Sequence, residues 1–354
     1  MNIGLLGFGV VGGGVWELAQ ENRALNVKKV LVRREAPPLG ETAVQDVEAI
    51  LRDTDIDTVV EVLGGLHPAY EWICRALAAG KDVVTANKAV ISAYYRELTA
   101  LACENRVALR CTAAVGGGIP WLVNLQRCRR VDTVTEVGGI MNGTTNFIMD
   151  AMARQGADFP AVLQRAQELG YAEADPSADI DGDDIRRKLT ISANIAFDAL
   201  LREEDIPAFG IRTVTGADVA DFRAHGFTCK LLACAQRTET GVVAYVEPAL
   251  VAEGEPEAAV PGNYNLISCT GELLGRQSYF GQGAGRYPTA ANVVQDCLDL
   301  LAGEDGFYTE TARPMAVEAD AVAHPYYVRT RTADPWLESV TADRWDSGVI
   351  TGAV

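Results

Sequence analysis

Near its start the chain runs from a strand-sized apolar segment, Ile3-Gly4-Leu5-Leu6, into Gly7-Phe8-Gly9-Val10-Val11-Gly12 and then a helical pattern from Val10 to Ala19. No other feature constrains the fold as strongly. Glycines in G-x-G-x-x-G permit a tight strand-to-helix turn and let backbone N–H groups and a helix N-terminus approach a pyrophosphate. A purely structural glycine turn is the alternative, and the strand before and helix after favour dinucleotide binding. Gly7, Gly9, Val10, Val11 and Gly12 are therefore cofactor-binding positions.

The following residues repeat the same alternation. Val27 to Val32, Thr58 to Leu63, Asp82 to Thr85 and Val107 to Cys111 read as buried strands, with helical patterns at Ala69 to Ala79 and around Tyr95 to Asn105. Continuous apolar strands separated by amphipathic helices indicate a parallel sheet covered on both faces. Beyond about Val131 the character changes. Helical patterns at Phe147 to Arg154, Phe159 to Leu169 and Ile185 to Leu201 precede strand-like pieces at Lys230 to Ala235, Val242 to Val251 and Leu266 to Glu272, and Ala290 to Leu301 is helical again. The expected fold class is α/β: an N-terminal Rossmann-type doubly wound parallel sheet with a second α+β domain for catalysis and oligomerisation. The expected boundaries are 1–130 for nucleotide binding, with 286–330 packing back on it, 131–285 for substrate binding and dimerisation, and 331–354 as a C-terminal tail.

A net charge of -17 argues against nucleic acid as a partner, because neutralising phosphates needs clustered cations. No apolar run approaches the roughly 20 residues that span a bilayer, so no membrane partner is expected. With a strand pattern beginning at Asn2, no signal or transit peptide is expected. The 8 cysteines are scattered without a CxxC pair, which speaks against a disulfide framework or zinc site and for the reducing cytoplasm. His67, His225 and His324 are too far apart in sequence to suggest a metal cluster.

The stretch "DPSADIDGDDIRRKLT" (175–190) concentrates carboxylates just before a helix that presents Lys188. A calcium loop fails on spacing: counted from Asp179, Gly182 arrives too early and no glutamate closes the loop. Helix capping explains one carboxylate, Asp183 or Asp184, and acids are favoured at that end. Asp184 and Lys188 stand i, i+4, on one helix face, and the neighbouring apolar residues imply a buried lysine that needs a partner. A buried acid–lysine site that handles protons remains beside the cap. At the end of the second strand, Arg33 and Arg34 stand where an acid would meet a ribose 2′-hydroxyl, and a guanidinium there suits a 2′-phosphate. Two solvated arginines are the alternative, and Glu35 would supply a carboxylate after a small change of register.

The segments "EVLGG" (61–65), "GKDVVTANKAVIS" (80–92), "AAVGGGIP" (113–120), "GGIMNGTTNFIM" (138–149), "ELGYAEADPSADIDGDDIRRKLTI" (168–191) and "GQGAGRYPTA" (281–290) together resemble the homoserine dehydrogenases, in that family's order and over nearly the whole chain to about Arg329. The resemblance implies reversible, nicotinamide-dependent interconversion of L-homoserine and L-aspartate 4-semialdehyde, in threonine and methionine biosynthesis. It implies Lys188 as the catalytic lysine, with Lys88 as a second functional lysine between nicotinamide and substrate. Asp184 and Glu173 would face the substrate, and Asp179 would orient Lys188 or the substrate. Asn142, Gly143, Thr144 and Thr145 would hold the substrate carboxylate. Leu63, Gly64, Gly283 and Gly285 join the cofactor positions, with NADP preferred and NAD the alternative. The loop at 113–120 resembles one that holds a monovalent cation, sodium, on main-chain carbonyls at Thr112, Val115, Gly117 and Ile119. The family commonly has a glutamate where this chain has Thr112. A homodimer or homotetramer is expected.

Two other functions keep the fold: a nucleotide-binding regulatory protein that has lost catalysis, and a dehydrogenase of another amino-acid-derived aldehyde. Lys88, Glu173, Asp184 and Lys188 together speak against the first. The resemblance ends near "YYVRTRT" (326–332), and the remaining residues are too few for the family's ACT regulatory domain, so threonine inhibition through such a domain is not expected. Trp336 and Trp345 are expected to pack the tail onto the catalytic core or a neighbouring subunit.

Overall fold

The computed structural model describes all residues except 35, 310, 319–322, 331 and 333. Two compact units divide the chain. The first comprises Met1–Val137, Arg187–Asp205 and Ile267–Met315; the second comprises Gly138–Arg186, Ile206–Leu266 and Ala316–Val354.

In the first unit, β1 (Asn2–Leu6), α1 (Val10–Gln20), β2 (Asn26–Leu31), β3 (Ala43–Val44), α2 (Glu48–Leu51), β4 (Thr58–Glu61), α3 (Ala69–Ala78), β5 (Asp82–Thr85), α4 (Lys88–Asn105) and β6 (Leu109–Arg110) follow one another. The sheet has the order β3-β2-β1-β4-β5-β6, and its paired strands run parallel. This is the doubly wound order that reverses beside the first strand, where such sheets bind ligands at their carboxyl edge. Val, Ile and Leu dominate the strands because both faces are covered. α5 (Trp121–Arg129) comes next, and α11 (Arg286–Leu301) returns much later in the chain. Ala290, Val293 and Cys297 of α11 share one core with Ile3, Leu5, Val15 and Val30. Burying one such valine contributes about 1.5–3 kcal/mol, so this late helix is integral to the unit. A Cβ on Gly14 would meet the Ala290 methyl at 2.9 Å, so glycine permits the close approach of α1 and α11.

Further along lie β7 (Val134–Ile140), α6 (Gly143–Gln155), α7 (Phe159–Glu168), α8 (Ser177–Ile180), α9 (Asp183–Phe197), α10 (Gly216–Ala224), β8 (Phe227–Arg237), β9 (Gly241–Ala252), β10 (Tyr264–Gly271), β11 (Gly275–Gln282) and β12 (Ala316–Val317). A second sheet has the order β11-β10-β7-β8-β9-β12; β8 and β9 pair antiparallel, and β12 joins β9 parallel. α5, α10 and β11 are absent from the sequence reading. β11 is largely exposed and lacks an apolar alternation, while α10 buries Asp218 and Asp221 beside Val219 and Phe222, which blurs its apolar stripe.

The C-terminal segment is folded, with β13 (Tyr327–Val328), α12 (Pro335–Val340), β14 (Thr341–Arg344) and β15 (Val349–Thr351) in a small antiparallel sheet ordered β13-β15-β14. Its two tryptophans differ. Trp345 stacks on His225 with centroids 4.0 Å apart and also meets Phe227 and Tyr327, whereas Trp336 is 60% exposed. Trp345→Ala is expected to lower unfolding free energy by about 2–4 kcal/mol, because a large aromatic contact is lost. Trp336→Ala should stay within about 0.5 kcal/mol. Urea unfolding of both variants checks the contrast; equal costs would contradict it.

Candidate active site

At the carboxyl edge of the first sheet, Gly7 takes φ +108 and its N–H donates to the Leu31 carbonyl at 3.2 Å, which seats the glycine turn beside the end of β2. A Cβ on Gly12 would lie 2.2 Å from the Gly7 oxygen, so only glycine lets α1 start this close to the turn. Gly9 is the N-cap of α1, makes no side-chain cap, and has open space where a Cβ would stand. First-turn N–H groups left by such a cap suit a pyrophosphate. Val10 is exposed and Val11 half-buried. Arg33 and Arg34 are exposed just beyond β2; Glu35 lies outside the described residues. These residues fit a dinucleotide.

The neighbouring strand ends are tied by a polar network that sequence reading misses. Glu61, fully buried at the end of β4, accepts from the Thr85 hydroxyl at 2.6 Å, the Leu63 N–H at 2.7 Å and the Asn87 amide at 3.4 Å. Burial pushes its carboxyl above the ordinary carboxylate value, and these donors pull it back. Asn87 also donates to the Gly65 carbonyl at 2.8 Å and accepts from Val90 N–H at 3.3 Å, capping α4. The network thus holds both the Leu63-Gly64-Gly65 turn and the first residue of α4, Lys88, which is half-buried. A glutamate ending an apolar strand was the available signal, since a buried carboxylate requires donors.

Just past the end of β7, Asn142 caps α6. Its oxygen accepts from Thr145 N–H at 2.8 Å, while its nitrogen donates to Asp179 at 2.7 Å and to Asp184 at 2.8 Å. Asn142, Thr145, Asp179 and Asp184 are thereby brought together. The Thr144 hydroxyl donates to the Tyr171 carbonyl at 2.6 Å. A Cβ on Gly143 would lie 2.5 Å from the Asn263 oxygen, so this position needs a glycine. Glu173 is exposed, and its carbonyl accepts from Gln167 at 3.0 Å. Asp184 is 3% exposed in the first turn of α9. Lys188, one turn later, is 7% exposed, and its carbonyl accepts from Ser192 at 2.8 Å.

In the first unit, the 112–119 loop lies against α11. Gly285 caps that helix with φ +125, and a Cβ on Gly117 would lie 2.5 Å from the Gly283 carbonyl. The Gly117 and Ile119 carbonyls accept from the Asn292 amide, and Thr112 donates to Asp296 through both its N–H and its hydroxyl. Burial pushes the Asp296 carboxyl up to about 6, opposed by Arg110 and the Thr112 donors. Among the described residues no group of His, Cys, Asp and Glu could hold a metal ion.

Comparison with known proteins supplies the family. The family described as homoserine dehydrogenase matches residues 120–298, and homoserine dehydrogenase, NAD binding domain, matches residues 7–111. The homoserine dehydrogenase of Synechocystis sp. is 42% identical over 317 residues, covering 85% of this chain and 73% of that protein. The chain belongs to the homoserine dehydrogenase family. It is an oxidoreductase with a nicotinamide-cofactor domain. The crystal structure of a homoserine dehydrogenase from Thiobacillus denitrificans superposes with a TM-score of 0.92 at 33% identity, covering 100% of this chain and 91% of that one. A hyperthermophilic archaeal homoserine dehydrogenase in complex with NADPH aligns with a TM-score of 0.75 at 25% identity, covering 86% of this chain and 99% of that one.

Glu61→Gln keeps the shape but turns an amide N–H₂ toward groups that already donate. Stability should fall by about 1–3 kcal/mol, the cost of a mispaired buried polar group. Nucleotide affinity should weaken with it, because the 63–65 turn loses its anchor. Thermal unfolding and a nucleotide titration measure both; wild-type values in each would remove Glu61 from this role.

Proposed function

We propose that this homoserine dehydrogenase uses NADP in preference to NAD and moves the substrate proton through Lys188. The observation that carries the proposal is the buried face of α9, where Lys188 follows Asp184 by one turn and Asp184 is held by Asn142. When bound, the nicotinamide supplies or accepts the hydride. Hydride arrival at the aldehyde carbon of L-aspartate 4-semialdehyde leaves alkoxide character on oxygen. The Lys188 ammonium stabilises that charge and delivers the proton; in the homoserine direction the lysine amine takes it back. Lys88, at the start of α4, adds positive charge on the nicotinamide side.

The substrate's α-ammonium group calls for carboxylate acceptors. Asp179 and Asp184 are the acceptors we assign, with Glu173 contributing from the surface segment. Asn142 donates to both aspartates and so sets their spacing, while the start of α6, Gly143 to Thr145, receives the substrate carboxylate. The preference for NADP rests on Arg33 and Arg34, whose exposed guanidinium groups suit a 2′-phosphate, and the NADPH bound by the archaeal relative is in keeping with it.

A homodimer or homotetramer belongs to this reading: β11 is a sheet edge, and Leu273, Leu274 and Phe280 on and beside it are 80%, 51% and 56% exposed. The cysteines are scattered along the sequence without a CxxC pair, in keeping with a cytoplasmic protein. Among the described residues no helix is long and apolar enough to cross a membrane.

With L-homoserine, purified protein should reduce NADP faster than NAD, read as absorbance of the reduced nicotinamide. Lys188→Ala should lower turnover by at least about a hundredfold while nucleotide still binds, the low end for loss of a general acid–base. Near-normal turnover in a folded Lys188→Ala protein would overturn the assignment.

A further inference from the structure

The 112–119 loop resembles one that holds a monovalent cation on main-chain carbonyls, yet the residues present here do not fit such an ion. Asn292, 6% exposed on α11, donates from Nδ2 to the Gly117 carbonyl at 2.6 Å and to the Ile119 carbonyl at 3.0 Å. A hard cation bridging those two oxygens would sit about 2.3–2.6 Å from each and so would clash with the amide nitrogen, which already lies between them. Ile119 O also accepts from Trp121 N–H at 2.7 Å, and Thr112 O accepts from Val115 N–H at 3.3 Å.

The nearby carboxylate offers no substitute attraction. Asp296, one turn beyond Asn292 on α11, receives the Thr112 N–H at 2.9 Å, the Thr112 hydroxyl at 2.7 Å and Arg110 Nε at 3.1 Å. Its charge is therefore met by a guanidinium and by the residue that begins the loop.

We propose that the Asn292 carboxamide is a built-in replacement for a monovalent cation, so that the loop keeps its shape and the enzyme turns over without sodium or potassium. A primary amide suits the task because its two N–H bonds can serve two carbonyls at once. They place partial positive charge between the oxygens without the desolvation that a captured ion demands. Turned over, the amide would present its oxygen to two carbonyl oxygens, an arrangement that a cation would have to relieve.

The test compares turnover and Tm of the full chain at constant ionic strength in chloride salts of sodium, potassium and tetramethylammonium. Wild-type turnover is expected to agree within about twofold across the salts, with an unchanged Tm, since the amide already occupies the loop. Asn292→Ala removes the donor: its Tm should fall in tetramethylammonium and recover at least half of the loss in sodium or potassium. A wild-type rate that rises about fivefold or more, or a wild-type Tm that rises with either metal ion, would overturn the proposal. If Asn292→Ala does not fold in any salt, Asn292→Asp carries the test, because a carboxylate among carbonyls should make Tm depend on the cation. An Asn292→Asp protein as indifferent to salt as wild type would also overturn the proposal. Absence of turnover in every salt would count against the functional reading alone, and the Tm series would still decide the role of Asn292.

Discussion

A carboxylate sealed from water is the constraint on which the first unit depends. Glu61 ends a strand packed on both faces, and a charge there is tolerated only when nearby donors meet its lone pairs. Those donors come from Leu63, Thr85 and Asn87, so the turn after β4, the end of β5 and the start of α4 cannot shift independently. The Leu63 side chain in turn abuts Gly7, where a Cβ would approach it to 3.0 Å. Glycine loop, second turn and Lys88 are thereby built into one rigid sheet edge. Shared donors of this kind fix one arrangement of the edge.

Three buried side-chain amides fasten helices of this chain to neighbouring segments. Asn87 ties α4 to the Gly65 turn, Asn142 ties α6 to two aspartates, and Asn292 ties α11 to the 112–119 loop. An amide offers both donors and acceptors without a net charge, so it can be buried more cheaply than an ion. Asn142 uses both ends: its oxygen caps α6 and its nitrogen serves Asp179 and Asp184. With each end engaged its orientation is fixed, and so is its hold on both aspartates. Fully satisfied buried networks of this kind specify one arrangement.

The sequence by itself determined the first sheet, the glycine turn and the positions of Lys88, Asp184 and Lys188. Apolar strand runs, glycine spacing and an i, i+4 pair are local patterns, and local patterns survive in one dimension. It set helix and strand limits less well: α4 begins at Lys88, well before the apolar period that announced it, because Asn87 starts the helix with a cap. Only the tertiary structure decided what each buried polar atom meets. Glu61 meets Thr85 on another strand, Asn142 meets Asp184 across the acidic segment, and Asn292 meets a loop 175 residues earlier. A buried donor must be paired, but nothing local to it says with what. That choice is made by packing, when distant segments are brought within hydrogen-bonding distance.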